Sequence, residues 1–168
     1  SRPSGRTKPS CPSGRKSSPQ HNAKAFSFTV RVSQRASAVK KNKKMNLNEL
    51  TYLINGAIFE VNRILGPGFL EKVYENALLI ELKARGIKAA AQYPIKVRYK
   101  DQIVGEYFAD LLVEDQVIIE LKTVDKIEKI HEAQLLNYLK ATEIKVGLLV
   151  NFKSTKADIT RMVLDLAE

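Results

Sequence analysis

Apolar residues recur at helical spacing through Leu50, Leu53, Ile54, Ala57, Ile58, Val61, Ile64 and Leu65. Positions three and four apart share one face of a helix, so this stripe predicts an amphipathic helix over about 47–65. Gly66-Pro67-Gly68 ends it. A second helix is expected from about Leu70 to Arg85, with Leu70, Val73, Ala77, Leu78 and Leu82 inward and Gly86 closing it. The period then falls to two. Ile95, Val97 and Tyr99 alternate with Lys96, Arg98 and Lys100, and Asp101-Gln102 turns the chain. Residues 103–113 and 117–122 predict two more strands around a tight turn at Glu114-Asp115-Gln116. A helix over about 128–141 leads to an apolar strand, Val146 to Asn151, and Ile159 to Leu166 fits either a strand or a short helix.

The order α-α-β-β-β-α-β, with a short terminal element, implies an α/β domain. Three antiparallel strands enter a strand–helix–strand crossover, which makes the last pair parallel. The product is a mixed β-sheet flanked by helices.

Composition supports one domain: 168 residues, 44% apolar and 27% charged, suffice for a real core. Cys11 stands alone, which excludes a disulfide framework or multi-cysteine zinc site and makes reducing, cytoplasmic surroundings the default. No apolar run approaches the roughly 20 residues that span a bilayer, so no membrane partner is expected. The net charge of +10 is unevenly spread. Residues 1–44 hold 12 of the 28 Lys and Arg and none of the 18 Asp and Glu, leaving −2 for residues 45–168. The basic segment is expected to be disordered. It reads as a nucleic-acid-binding arm, as extraneous sequence ahead of a domain opening at Met45, or, less favoured, as a transit peptide.

The chemistry concentrates between Phe108 and Lys122. Strand alternation puts Val117, Ile119 and Leu121 on one side and Ile118, Glu120 and Lys122 on the other. If residues 114–116 form the hairpin loop, Val113 pairs with Val117 and Asp110 falls opposite Glu120. Opposed carboxylates amid apolar neighbours are destabilising unless compensated. Lys122 is one compensating group and a divalent cation is the other, with oxygen ligands suiting Mg²⁺ or Mn²⁺. The plainer alternative is a structural Glu120–Lys122 ion pair. On the following helix His131, Gln134 and Tyr138 form one stripe, from which Gln134 could reach the acids. His131-Glu132 is not a zinc-protease motif, because position 135 is Leu. Glu71 and Glu75 share a face of the second helix, and one of them could complete a three-acid site. Neither a nucleotide-cradling loop nor a Ser or Cys triad is present.

Gly68-Phe-Leu-Glu71-Lys-Val-Tyr74, with Glu75-Asn-Ala-Leu78, resembles the signature of the GxxExxY protein family. Phe108-Ala-Asp110-Leu-Leu-Val, Ile118-Ile-Glu120-Leu-Lys122 and His131-Glu-Ala-Gln134-Leu-Leu-Asn-Tyr138 resemble it in the same order, over about 46–153. That family is similar to the PD-(D/E)XK nuclease superfamily, with its three-layer-like restriction-endonuclease-type core. The resemblance implies that Asp110 and Glu120 are metal ligands and that Lys122 orients the attacking water or stabilises developing charge. It gives Glu75, before Glu71, the helix carboxylate role and makes Gln134 and Tyr138 the polar helix pair. Ala109 replaces the nominal Pro.

The expected activity is metal-dependent phosphodiester hydrolysis of nucleic acid, with DNA placed ahead of RNA. The alternatives are a non-catalytic nucleic-acid-binding module and a homodimer formed through helix 47–65. Lys96, Arg98 and Lys100 offer either a phosphate-binding patch or a solvated strand face.

Overall fold

The computed structural model describes residues 45–164. The expected basic tail, residues 1–44, and the end of the terminal element lie outside the described residues. The elements are α1 (Leu47–Leu65), α2 (Glu71–Ala84), β1 (Ala89–Tyr99), β2 (Gln102–Val113), β3 (Val117–Lys122), α3 (Lys129–Thr142), β4 (Val146–Asn151) and β5 (Asp158–Val163). The five strands form one sheet in chain order; β3 and β4 run parallel and the other neighbours antiparallel. No helix among the described residues is long and apolar enough to cross a membrane.

Two cores sandwich the sheet. Leu50, Ile54, Ile58 and Val61 of α1 and Tyr74, Leu78 and Leu82 of α2 pack on Val117, Ile119 and Leu121 of β3. Leu135, Tyr138 and Leu139 of α3 pack against Ile118 and Leu149 from the other side. β3 therefore alternates as its sequence dictates, and every one of its apolar side chains is buried.

Local chemistry sets the boundaries. Asn46 caps α1, its Oδ1 accepting from the Asn48 N–H at 2.8 Å. Gly86, in the left-handed region at φ 73°, closes α2 and lets the Ile87 N–H reach the Leu82 carbonyl at 2.9 Å.

Three expectations require correction. In α2, Leu70 and Val73 face solvent and Tyr74 takes the inward position. Tyr74 buries more surface than Val73 could, because its hydroxyl is satisfied: it donates to the Gly66 carbonyl at 2.7 Å while the ring stacks on Phe152 at 4.3 Å. Ile64 of α1 likewise points outward. Second, β1 starts at Ala89, earlier than its alternating segment. Three consecutive alanines carry no period, yet Ala89 and Ala91 pack against the first core. Third, the hairpin turn is centred on Lys100-Asp101 rather than Asp101-Gln102; Lys100 and Asp101 both have positive φ, as the twist of a two-residue hairpin demands. The terminal segment, ambiguous from its pattern, is a strand antiparallel to β4.

The seat of α3 depends on Gly147. A Cβ there would come within 2.9 Å of the buried Leu135 side chain, so the absent side chain is what admits the helix so close to β4. Gly147→Val should destabilise the fold by about 1–3 kcal/mol through overpacking. Chemical denaturation measures this, and Leu135→Ala in the same background should recover part of the loss.

Candidate active site

The β2–β3 hairpin fixes the register that brings the acids together. Glu114 and Asp115 adopt positive φ in the three-residue loop, and the Gln116 N–H closes it on the Val113 carbonyl at 2.9 Å. Val113 pairs with Val117, Leu112 with Ile118 and Leu111 with Ile119. The next pair in that register is Asp110 with Glu120, but the ladder ends one step short. Asp110 uses its side chain instead: Oδ2 accepts the Leu121 N–H at 2.7 Å. A carboxylate thus takes the place of a backbone acceptor.

Glu120 lies on the α3 side with almost no exposure. Its Oε1 accepts from Lys122 Nζ at 2.8 Å and from Gln134 Nε2 at 2.8 Å. Lys122 also donates to Gln134 Oε1 at 3.3 Å, and the Gln134 amide reaches Tyr138 Oη at 2.9 Å. Glu120 Oε2 is buried and has no hydrogen-bond partner. A buried carboxylate oxygen ordinarily finds a donor, so its solitude is informative. Burial, reinforced by the Asp110 charge and opposed by Lys122, pushes the Glu120 carboxyl up to about 7. Asp110 is also raised, chiefly by burial, against the pull of the Leu121 N–H and Lys122.

The α2 carboxylates are fixed in different ways. Glu71 Oε1 accepts from the Thr123 N–H at 2.9 Å and from Thr123 Oγ1 at 2.6 Å. Burial alone would raise Glu71, but the bonds from Thr123 outweigh it and hold the group below its ordinary value. Glu75 is buried, with one oxygen paired to Lys72 and the other accepting from Gln92 Nε2 at 2.6 Å. Both α2 charges act on Asp110, raising it.

The structure therefore brings Asp110, Glu120, Lys122, Gln134 and Tyr138 together at the end of β3, with Glu71 and Glu75 approaching from α2. His131 is not part of this cluster. Its Nδ1 accepts the Glu128 N–H at 3.1 Å and completes a capping box at the start of α3, so the stripe reading overextends there. Three contributors escape sequence reasoning. Thr123 anchors Glu71. Asn151, paired with Lys122 across the parallel ladder, clamps both backbone groups of Val124 and so fixes the chain leaving β3. Gln92 holds Glu75. The available signal was a lone polar residue in an apolar setting: Gln92 after three alanines, and Asn151 ending an apolar strand.

Among the described residues, no three of Asp, Glu, His and Cys converge as a ready-made ion site. The two acids nonetheless fit a hard cation. Both donate carboxylate oxygens, and the buried, partnerless Oε2 of Glu120 is the type of atom such an ion would satisfy. Beside the cluster, a groove of about 800 Å³ runs between α3 and the β1–β2 ribbon. Lys96, Arg98, Tyr107 and Lys140 line it, and Gln134 and Tyr138 are shared with the site.

A mixed sheet with helices on both faces, carrying an Asp and a Glu-x-Lys on adjacent central strands, defines a restriction-endonuclease-like fold. Residues 48–162 match the PD-(D/E)XK nuclease superfamily, and the chain belongs to it. Nucleases of that superfamily generally use divalent metals. Among curated proteins no sequence matches the chain. Solved structures similar to the chain include two of low identity. One is the crystal structure of SSO0001, with 19% identity and TM-score 0.43, over 57% of this chain and 50% of that one, so the chain spans half its length. The other is an alkaline exonuclease (LHK-Exo) from Laribacter hongkongensis, with 14% identity and TM-score 0.44, over 71% of each chain.

The raised Glu120 carboxyl has a thermodynamic consequence. Its folded value, about 7, exceeds its ordinary 4.5, so between those pH values the folded state binds more protons than the unfolded. Without metal, stability is greatest below this window and falls as pH rises through it. The contribution is on the order of 3 kcal/mol. Thermal unfolding in EDTA from pH 4.5 to 8 should show the decline, and Glu120→Gln should flatten it.

Proposed function

We propose that this protein is a divalent-metal-dependent nuclease that hydrolyses phosphodiester bonds, with DNA as substrate. The observation that carries the proposal is the partnerless Oε2 of Glu120, buried beside Asp110 and within reach of an ammonium group. Asp110 and Glu120 would hold Mg²⁺ or Mn²⁺. When bound, the ion supplies a Lewis acid that polarises phosphate and makes water more acidic.

The remaining roles belong to the chain itself. Lys122 holds a positive charge where negative charge builds on the phosphate and the attacking oxygen. Gln134 locks the Glu120 rotamer from α3 and is itself held by Tyr138. Glu71 and Glu75 are the third-acid candidates, with Glu75 preferred because it is the more deeply buried. The narrower GxxExxY assignment fits the physical work of its residues. Gly68 sits at φ 111°, Glu71 bonds Thr123, and Tyr74 bolts the α1–α2 loop to Phe152.

The groove supports a polyanionic partner. Residues 45–164 carry equal numbers of acidic and basic side chains, yet the groove wall holds Lys96, Arg98 and Lys140 without an acid. Its apolar floor and half-exposed Tyr107 suit an unstacked base beside the phosphate chain.

In oligonucleotide cleavage with Mg²⁺ or Mn²⁺, Asp110→Asn, Glu120→Gln and Lys122→Ala should each lower the rate by about 100-fold or more. Circular dichroism should show an intact fold. Full cleavage by Glu120→Gln would exclude the mechanism, and RNA of the same sequence in parallel decides between the sugars. Metal affinity should rise with pH through about 7, because binding requires the ionised carboxylate.

Lys96→Ala/Lys140→Ala should flatten the salt dependence of oligonucleotide binding by about two phosphate contacts. An unchanged slope would remove the groove from the substrate path.

Self-association is the second reading, favoured by one observation. Tyr52 and Phe59, seven residues apart, are exposed apolar side chains on one side of α1. Light scattering of Tyr52→Lys against wild type tests it, with a dimer in the wild type alone as the supporting result.

A further inference from the structure

Gln92 occupies a backbone conformation that its side chain does nothing to excuse. It lies inside β1 at φ 51°, in the left-handed region that glycine, and occasionally asparagine, visits without strain. The β1–β2 register pairs Ala91 with Leu111 and Tyr93 with Ala109, which leaves Gln92 facing Asp110 with no pairing between them. The ribbon changes face at this one position. Ala91 and Leu111 pack in the α1–α2 core, whereas Tyr93 and Ala109 pack in the α3 core. Regular alternation would have kept residues two apart on one face. The left-handed residue supplies the extra twist.

The same twist sends the Gln92 side chain toward α2. Its Nε2 donates to Glu75 Oε2 at 2.6 Å, although the residue as a whole remains exposed. Glu75 is 2% exposed, so this contact fixes a carboxyl side chain buried within the protein. An amide orients a carboxylate without cancelling its charge, whereas a second ammonium beside Lys72 would cancel it.

Resting on the nuclease reading above, we infer that Gln92 is a positioning residue of the active site. Its strained backbone opens the ribbon at Asp110, and its amide sets the direction of Glu75 toward the acid pair. Strain kept at a residue bonded to a site carboxylate serves geometry rather than stability.

Gln92→Gly and Gln92→Asn, made in the full chain, test the inference. Glycine relieves the backbone and removes the amide. Asparagine tolerates the backbone and keeps an amide one methylene too short to reach Glu75. With wild-type cleavage as the reference, kcat should fall at least tenfold in both, with KM for the oligonucleotide within twofold. The Tm of Gln92→Gly should be unchanged or raised. A residue that merely tied α2 to β1 would give the reverse, a lowered Tm with kcat within twofold of wild type, and that result overturns the inference. Full kcat in Gln92→Asn also overturns it, since reach would then be irrelevant. Should wild type cleave nothing, the nuclease reading fails separately, and Mn²⁺ titration calorimetry decides the role of Gln92. Binding weakened at least tenfold in both variants supports it, and unchanged binding refutes it.

Discussion

A buried carboxyl group, Glu120, beside a partly buried one, Asp110, governs the architecture around them. An unpaired charge in a protein interior costs several kcal/mol, and like charges held close add to that cost. The fold does not escape this penalty by moving Glu120 outward; β3 is central and all its apolar residues are buried. Compensation comes instead from a few directed groups. Lys122 contributes a charge, Gln134 a neutral donor, and the Leu121 N–H a main-chain donor to Asp110. Each is aimed by an element with its own reason to be there. One carboxylate oxygen is still left without a donor. The site is thus electrostatically incomplete, and Glu120 Oε2 is the one charged-group oxygen among the buried partnerless atoms of the described residues, which is the condition under which a protein gains by taking up a cation.

The two cores divide the labour. From one side, α2 delivers Glu71 and Glu75, its rotation fixed by Tyr74 between Gly66 and Phe152. From the other, α3 delivers Gln134 and Tyr138, its closeness to the sheet permitted by Gly147. The end of β3 is held by Asn151, so the exit of Lys122 and Thr123 is rigid where the two helices converge. Residues that never touch the acids therefore determine how the acids stand.

Much of this was legible in the chain. Periodicity located α1, β3 and β4 closely because their burial is regular, one-sided for the helix and two-sided for the central strands. Hairpin arithmetic set the β2–β3 register, because a three-residue loop leaves only one alignment of Val113 with Val117. Other features are invisible to periodicity. The alanines opening β1 have no contrast to alternate, and Tyr74 displaced Val73 because a distant backbone carbonyl satisfies its hydroxyl. His131 belonged to the right helical stripe but lay near enough to the helix start to be taken by the cap. The change of face at Gln92 came from one dihedral angle, and no pattern of hydrophobicity encodes that.

The bond between Glu71 and Thr123 joins residues 52 positions apart, and Lys122 aligns with Asn151 only after α3 has folded back. Contacts so distant along the chain form late, since loop closure must precede them. A nascent polypeptide that has emerged only as far as β3 holds both acids and the lysine but lacks the strand and helix that orient them. The assembled site is therefore a property of the finished domain, and a growing chain passes through synthesis without it.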